Sequence, residues 1–120
     1  MILIDTSIWV DHLRSGDSAL TALLRRSQVL MHTAVIGEIA LGNLSRPEEV
    51  LSLMASLPQA VVAQDHEVLG MISSAMLQGR GIGYVDACLL AATRLTVGAG
   101  LWSRDKRLTS VAQDLGIAAS

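Results

Sequence analysis

Short apolar runs alternate with helix-length segments along this chain, and that alternation constrains the fold more than any other feature. The runs are Ile2-Leu3-Ile4, Val29-Leu30-Met31, Ala60-Val61-Val62, a stretch ending at Leu101-Trp102 and, at the end, Ile117-Ala118. Between them the pattern predicts helices over about 7–13, 18–26, 34–43 with Thr33 as N-cap, 47–56 opened by Pro47, 65–78 capped by Asp65, 85–95 and 106–115. Strands separated by helices pair in parallel, and a parallel sheet needs cover on both faces. The expected fold class is therefore α/β, a parallel β-sheet of four to five strands with helices on both faces. At 120 residues the chain makes one domain, 1–120, with a real hydrophobic core.

Cys88 is the single cysteine, so no intrachain disulfide forms, and the expected state is a buried small hydrophobe in a reducing compartment. The N-terminus has no basic region and its apolar run is short, which is no secretory signal, and no stretch is long enough to span a membrane. The expected location is the cytoplasm. Hydrophobic residues make up 51% of the chain, with a mean hydropathy of +0.47, which is high for so small a domain. Some apolar surface should then lie outside the core and meet a partner, a second copy, or both.

In an open α/β sheet, ligands bind at the carboxyl ends of the strands. Asp5 directly follows the first strand, and Asp105 lies just past the strand ending at Trp102. Glu38 falls about one turn into the helix after the second strand, and Asp86 begins the helix that precedes the strand at Trp102. If those strands are neighbours, four carboxylates converge on one edge. Such a cluster repels itself strongly without a cation, and oxygen-only ligands favour Mg²⁺, with Mn²⁺ as a substitute. In this reading Asp5, Asp86 and Asp105 hold metal, while Glu38 ligates through water or helps deprotonate a nucleophile. The hydroxyls of Thr6, Ser7 and Ser103 orient waters or carboxylates around them.

A formal charge of −2 first argues against a nucleic-acid enzyme. With the four candidates set aside, seven acids remain against nine basic residues, eight of them arginine, which suits phosphate recognition. The glycine-rich 79–83 stretch follows a helix and reads as a loop, from which Arg80 is a candidate RNA-phosphate contact. Arg104, Lys106 and Arg107 flank Asp105, either as RNA-backbone contacts or as a solvated turn. His12, His32 and His66 share no metal-ligand spacing, and Asp11 reads as a solvated or capping partner of the first helix.

Four segments resemble PIN-domain toxins of the VapC type. They are Ile4-Asp5-Thr6-Ser7-Ile8-Trp9-Val10-Asp11-His12-Leu13, the Thr33-led segment carrying Glu38, Asp86-Ala87-Cys88-Leu89-Leu90-Ala91-Ala92-Thr93, and Leu101-Trp102-Ser103-Arg104-Asp105-Lys106-Arg107-Leu108. The resemblance covers essentially the full length. It implies a Mg²⁺-dependent endoribonuclease, held inactive by a cognate antitoxin and usually a homodimer, with Asp5, Glu38, Asp86 and Asp105 as its acidic quartet. It also implies that the antitoxin tail lies along the toxin and sets a basic side chain among the carboxylates. Gly37 is a departure beside Glu38: glycine weakens a helix by roughly 1 kcal/mol relative to alanine and either permits close packing or loosens the site. Two other readings compete. A phosphotransfer domain needs acids that this chain lacks, since Ser7 stands where an aspartyl phosphatase has its second Asp. A catalytically silent PIN-like scaffold that only binds RNA or protein is the main alternative.

Overall fold

The computed structural model describes residues 1–120. Its elements run β1 (Ile2–Ile4), α1 (Thr6–Ser15), α2 (Ser18–Arg25), β2 (Val29–Leu30), α3 (Thr33–Ala40), α4 (Pro47–Ser56), α5 (Asp65–Ser74), α6 (Tyr84–Leu95), β3 (Gly100–Trp102) and α7 (Lys106–Asp114). The sheet order is β2-β1-β3, with both pairings parallel. Ile2 pairs with Val29 on one side and Gly100 on the other, and Ile4 stands opposite Trp102. Leu3, Ile4, Val29, Leu30 and Leu101 are all buried, as a sheet covered on both faces requires.

Three strands form rather than the four or five that the apolar runs predict. Ala60-Val61-Val62 contributes only a bridge between Met31 and Gln59. Pro58 offers its carbonyl to Met31 but has no N–H, and the Val61 amide turns to the Thr96 hydroxyl at 2.9 Å. On the opposite edge, Ile117-Ala118 likewise makes a single bridge, Leu101 with Ala118. Helix α5 ends earlier than expected, at Ser74, and Met76 turns the chain with a φ of 52°. Its N-cap is Gln64 rather than Asp65, and the Glu67 carboxylate accepts from the Gln64 amide at 2.9 Å.

One cluster of 24 buried hydrophobic residues joins sheet and helices. Helix α6 is its main prop, with Ala87, Leu89, Leu90, Ala91, Ala92 and Thr93 all buried. Each leucine there contributes about 2 kcal/mol by leaving water. Cys88 is half-buried at the margin of this cluster rather than fully enclosed, and burial pushes its thiol up. Apolar side chains are also left outside, among them Val97, Leu41 and Met76. No helix is long and apolar enough to cross a membrane.

Helix α3 is capped by His32, not by Thr33: its Nδ1 accepts from the Ala34 amide at 2.9 Å. That bond needs a neutral imidazole, and burial depresses the His32 pKa. Its Nε2 is buried without a partner. As pH falls, the unfolded chain therefore takes up this proton before the folded one does. The stabilising contribution is complete above about pH 6.5 and is lost as pH drops through the lower folded value. Thermal unfolding from pH 7.5 to pH 5 should show the parent losing more melting temperature than His32→Asn, which keeps a capping acceptor but does not titrate.

Candidate active site

Parallel strands finish at one edge of the sheet, and a helix returning to a parallel strand must begin there. This geometry collects the four acids predicted from sequence. Asp5 follows β1, Glu38 lies on α3 after β2, Asp105 follows β3 as the N-cap of α7, and Asp86 occupies the first turn of α6 ahead of β3.

Asp5 is buried and holds the N-cap position of α1, yet its side chain makes no capping bond. Ser7 and Ser103 both donate to its Oδ2, at 2.8 and 2.6 Å. The Arg104 amide donates to the Ser7 hydroxyl at 3.1 Å, which closes this small network. Glu38 is exposed, and its Oε1 accepts from the Thr6 hydroxyl at 2.6 Å across the α1–α3 contact. Asp86 Oδ2 accepts from the Gly83 amide at 3.1 Å. Asp105 Oδ1 accepts from the amides of Arg107 and Leu108, at 2.9 and 3.0 Å. In each of the four carboxylates one oxygen is thus fixed by the chain, and the other has no hydrogen-bond partner.

The cluster is electrostatically unrelieved. Burial pushes the Asp86 carboxyl above the usual range, the Gly83 N–H offsets part of this, and the charges of Asp5, Asp105 and Glu38 raise it further. No three acidic, histidine or cysteine side chains are drawn in closely enough to hold an ion. An all-oxygen set with four free acceptor positions suits a hard divalent cation.

The basic side chains are sorted by their partners. Arg80 pairs with Asp114 at 2.8 Å and reaches Ser110. Arg104 forms ion pairs with both Asp11 and Asp17, tying the loop after β3 to α1 and the α1–α2 turn. The Leu20 N–H and then Arg104 hold the Asp17 carboxyl below the usual range. Lys106 and Arg107 are exposed, with no ion pair or side-chain hydrogen bond. His12 accepts from the Asp17 amide at 3.1 Å and packs edge-on against Trp9, and His66 is exposed. Sequence reasoning missed the His32 cap and the Asp11–Arg104–Asp17 pairs; the latter had a signal only in the presence of two acids near the end of α1.

A cleft of about 470 Å³ opens beside Glu38, between α1, α3 and the chain leading into α4, with Val10, Leu13, Ile39, Leu44 and Val50 on its walls. A Cβ added to Gly37 would meet nothing within 4 Å, so this glycine serves no close packing.

This architecture is that of a PIN domain, whose family matches residues 2–114. The chain is also 45% identical over 118 residues to Ribonuclease VapC32 of Mycobacterium tuberculosis, represented in two strains, covering 98% of this chain and 95% of that protein. It belongs to the VapC family of PIN-domain proteins.

Two substitutions test the geometry without reference to activity. Asp86→Asn keeps an acceptor for the Gly83 amide and removes a charge that its surroundings oppose. In chelator-treated protein it should raise the melting temperature by a few degrees, the usual direction when a strained site group is neutralised; a fall would contradict the repulsion. Gly37→Ala should stabilise α3 by up to roughly 1 kcal/mol in a urea titration, since the new methyl meets open space.

Proposed function

We propose that this chain is a Mg²⁺-dependent endoribonuclease, the toxin of a toxin–antitoxin pair, and that it hydrolyses RNA phosphodiester bonds at the four-carboxylate edge. The observation that carries this reading is the shared state of Asp5, Glu38, Asp86 and Asp105, each anchored through one oxygen with the other free. The ribonuclease name of the mycobacterial relative supports it.

Asp5, Asp86 and Asp105 would hold the cation, with Mn²⁺ as a substitute, and Glu38 would ligate through water or take the proton of the attacking water. A cation bound there supplies an acidified water and offsets charge on the phosphodiester. The chain's own part is orientation. Ser7 and Ser103 fix the buried Asp5, Thr6 aims Glu38, and the Gly83 amide aims Asp86. Asp105 is held by the first amides of α7, so its free oxygen is positioned without a side-chain partner. Arg104, Lys106 and Arg107 flank Asp105 as candidate phosphate contacts, and Arg80 is a fourth candidate, paired with Asp114 at the far end of α7. The three aromatic residues, Trp9, Tyr84 and Trp102, offer little for base stacking, because Trp9 is buried and Trp102 is half-buried. Substrate choice then rests on RNA shape and phosphate position.

A cognate antitoxin fits the apolar cleft beside Glu38, from which a basic side chain reaches the carboxylates. The exposed apolar residues, including Val61, Val62 and Val97, suit a homodimer contact.

Cleavage of a structured RNA panel by the purified chain should require Mg²⁺ and stop with EDTA. Asp5→Asn should abolish it, and Ser103→Ala, which removes one of two donors to Asp5, should reduce it about 10–100-fold. Undiminished cleavage by Asp5→Asn would place the activity elsewhere. RNA binding without any cleavage by the parent would favour the catalytically silent scaffold.

A further inference from the structure

Among the basic candidates, Arg107 has no acidic partner and lies instead against a glycine of another segment. Gly81 adopts a φ of +81° in the loop before α6, and a Cβ there would meet Arg107 Cδ at 2.7 Å, Nη1 at 3.0 Å and Nε at 3.2 Å. The arginine side chain therefore lies across the bare Cα of Gly81, whose positive φ itself favours glycine. The seat is two residues ahead of Gly83, whose amide orients Asp86, and Arg107 itself follows Asp105 in the first turn of α7. Arg107 thus stands on the helix start that carries Asp105 and touches the loop leading to the one that carries Asp86. No carboxylate pairs with it, whereas Arg80 and Arg104 are each committed to acids of this chain. Lys106 is also unpaired, but nothing comparable seats it.

A guanidinium that is exposed, unpaired and beside an acidic cluster is available to an anion. Its planar fork matches two phosphate oxygens. We infer that Arg107, seated on Gly81, grips a phosphate of the RNA backbone next to the bond being cut, and that it is the principal phosphate contact among the four basic candidates. This inference rests on the ribonuclease reading and specifies how that site takes its substrate.

The experiment measures RNA affinity against KCl concentration in the Asp5→Asn background, and cleavage kinetics in the otherwise native chain. Arg107→Ala should make the log–log salt dependence shallower by about 0.7, the value of one single-strand phosphate contact. KM should rise several-fold while kcat stays within about twofold. Gly81→Ala, which keeps the arginine but fills its seat, should shift both quantities in the same direction, provided that thermal melting shows it folded. Arg107→Lys should recover part of the affinity. Arg25→Ala removes an equal charge from the end of α2, beside the amino ends of the strands, and should leave the salt slope alone. Mg²⁺ titration by calorimetry should be unchanged in Arg107→Ala, which separates substrate grip from metal binding. Parental slope and KM in Arg107→Ala overturn the inference while leaving the ribonuclease reading intact. Absence of both RNA binding and cleavage in the parent overturns that reading and this inference together.

Discussion

Strand β1 is hydrogen-bonded in parallel on both sides, and the placement of every candidate site residue depends on that pairing. Three strands running the same way open their carboxyl ends on one edge, and α6, which must return to the start of β3, begins on that edge too. Residues far apart in sequence become neighbours through direction alone. Register then sets the detail. Ile4 stands opposite Trp102, so the next step along each strand sets Asp5 beside Ser103, and the 2.6 Å bond between them joins positions 98 apart in the chain. The Asp5 amide extends the ladder by donating to the Trp102 carbonyl at 2.9 Å. A slip of one residue would turn Asp5 toward the opposite face and leave the serine without it.

Having been brought together, the carboxylates divide between helix stability and the site. Asp105 does both, capping α7 with one oxygen and keeping the other free. Asp5 does not: it sits where a cap belongs, and a cap of that kind is worth about 1 kcal/mol, yet its oxygen turns to Ser7 and Ser103. Asp86 is worse placed, buried in part and faced by three like charges. A fold selected for stability alone would keep the cap and discard the repulsion. Their coincidence in one place is how a local cost points to a function served by the cluster as a whole.

Much of this was legible in the chain, and the remainder failed for identifiable reasons. Ile2–Ile4, the Pro47 start of α4, the onset of α7 and the position of Asp5 and Asp105 just after their strands follow from apolar runs, proline chemistry and strand direction. The run Ala60-Val61-Val62 reads as a strand because apolar pattern reports burial, not pairing. Only the fold shows that Thr96 takes the Val61 amide. His32 escaped notice as a cap because Thr33 beside it is the commoner capping residue, and no local pattern says that a strand-end imidazole will point back at Ala34. The arginines were least readable. Arg104 and Arg107 flank the same aspartate, and their difference lies in what other segments bring to them: two aspartates to one, a bare glycine to the other.

That difference bears on the net charge. Isolated exposed ion pairs contribute about 0–1 kcal/mol each, so Arg104 between Asp11 and Asp17 adds little to global stability. Its effect is positional, because the same residue's amide bonds Ser7, which in turn bonds Asp5. Asp11, Asp17 and Asp114 are matched by arginines of this chain, whereas the four edge carboxylates have only neutral donors. The formal −2 therefore does not describe a uniformly acidic surface. Four of the acids lie without cationic partners at one edge, with the unpaired Arg107 at their border. Neutralising that edge would leave a basic rim, the arrangement that a polyanionic substrate requires.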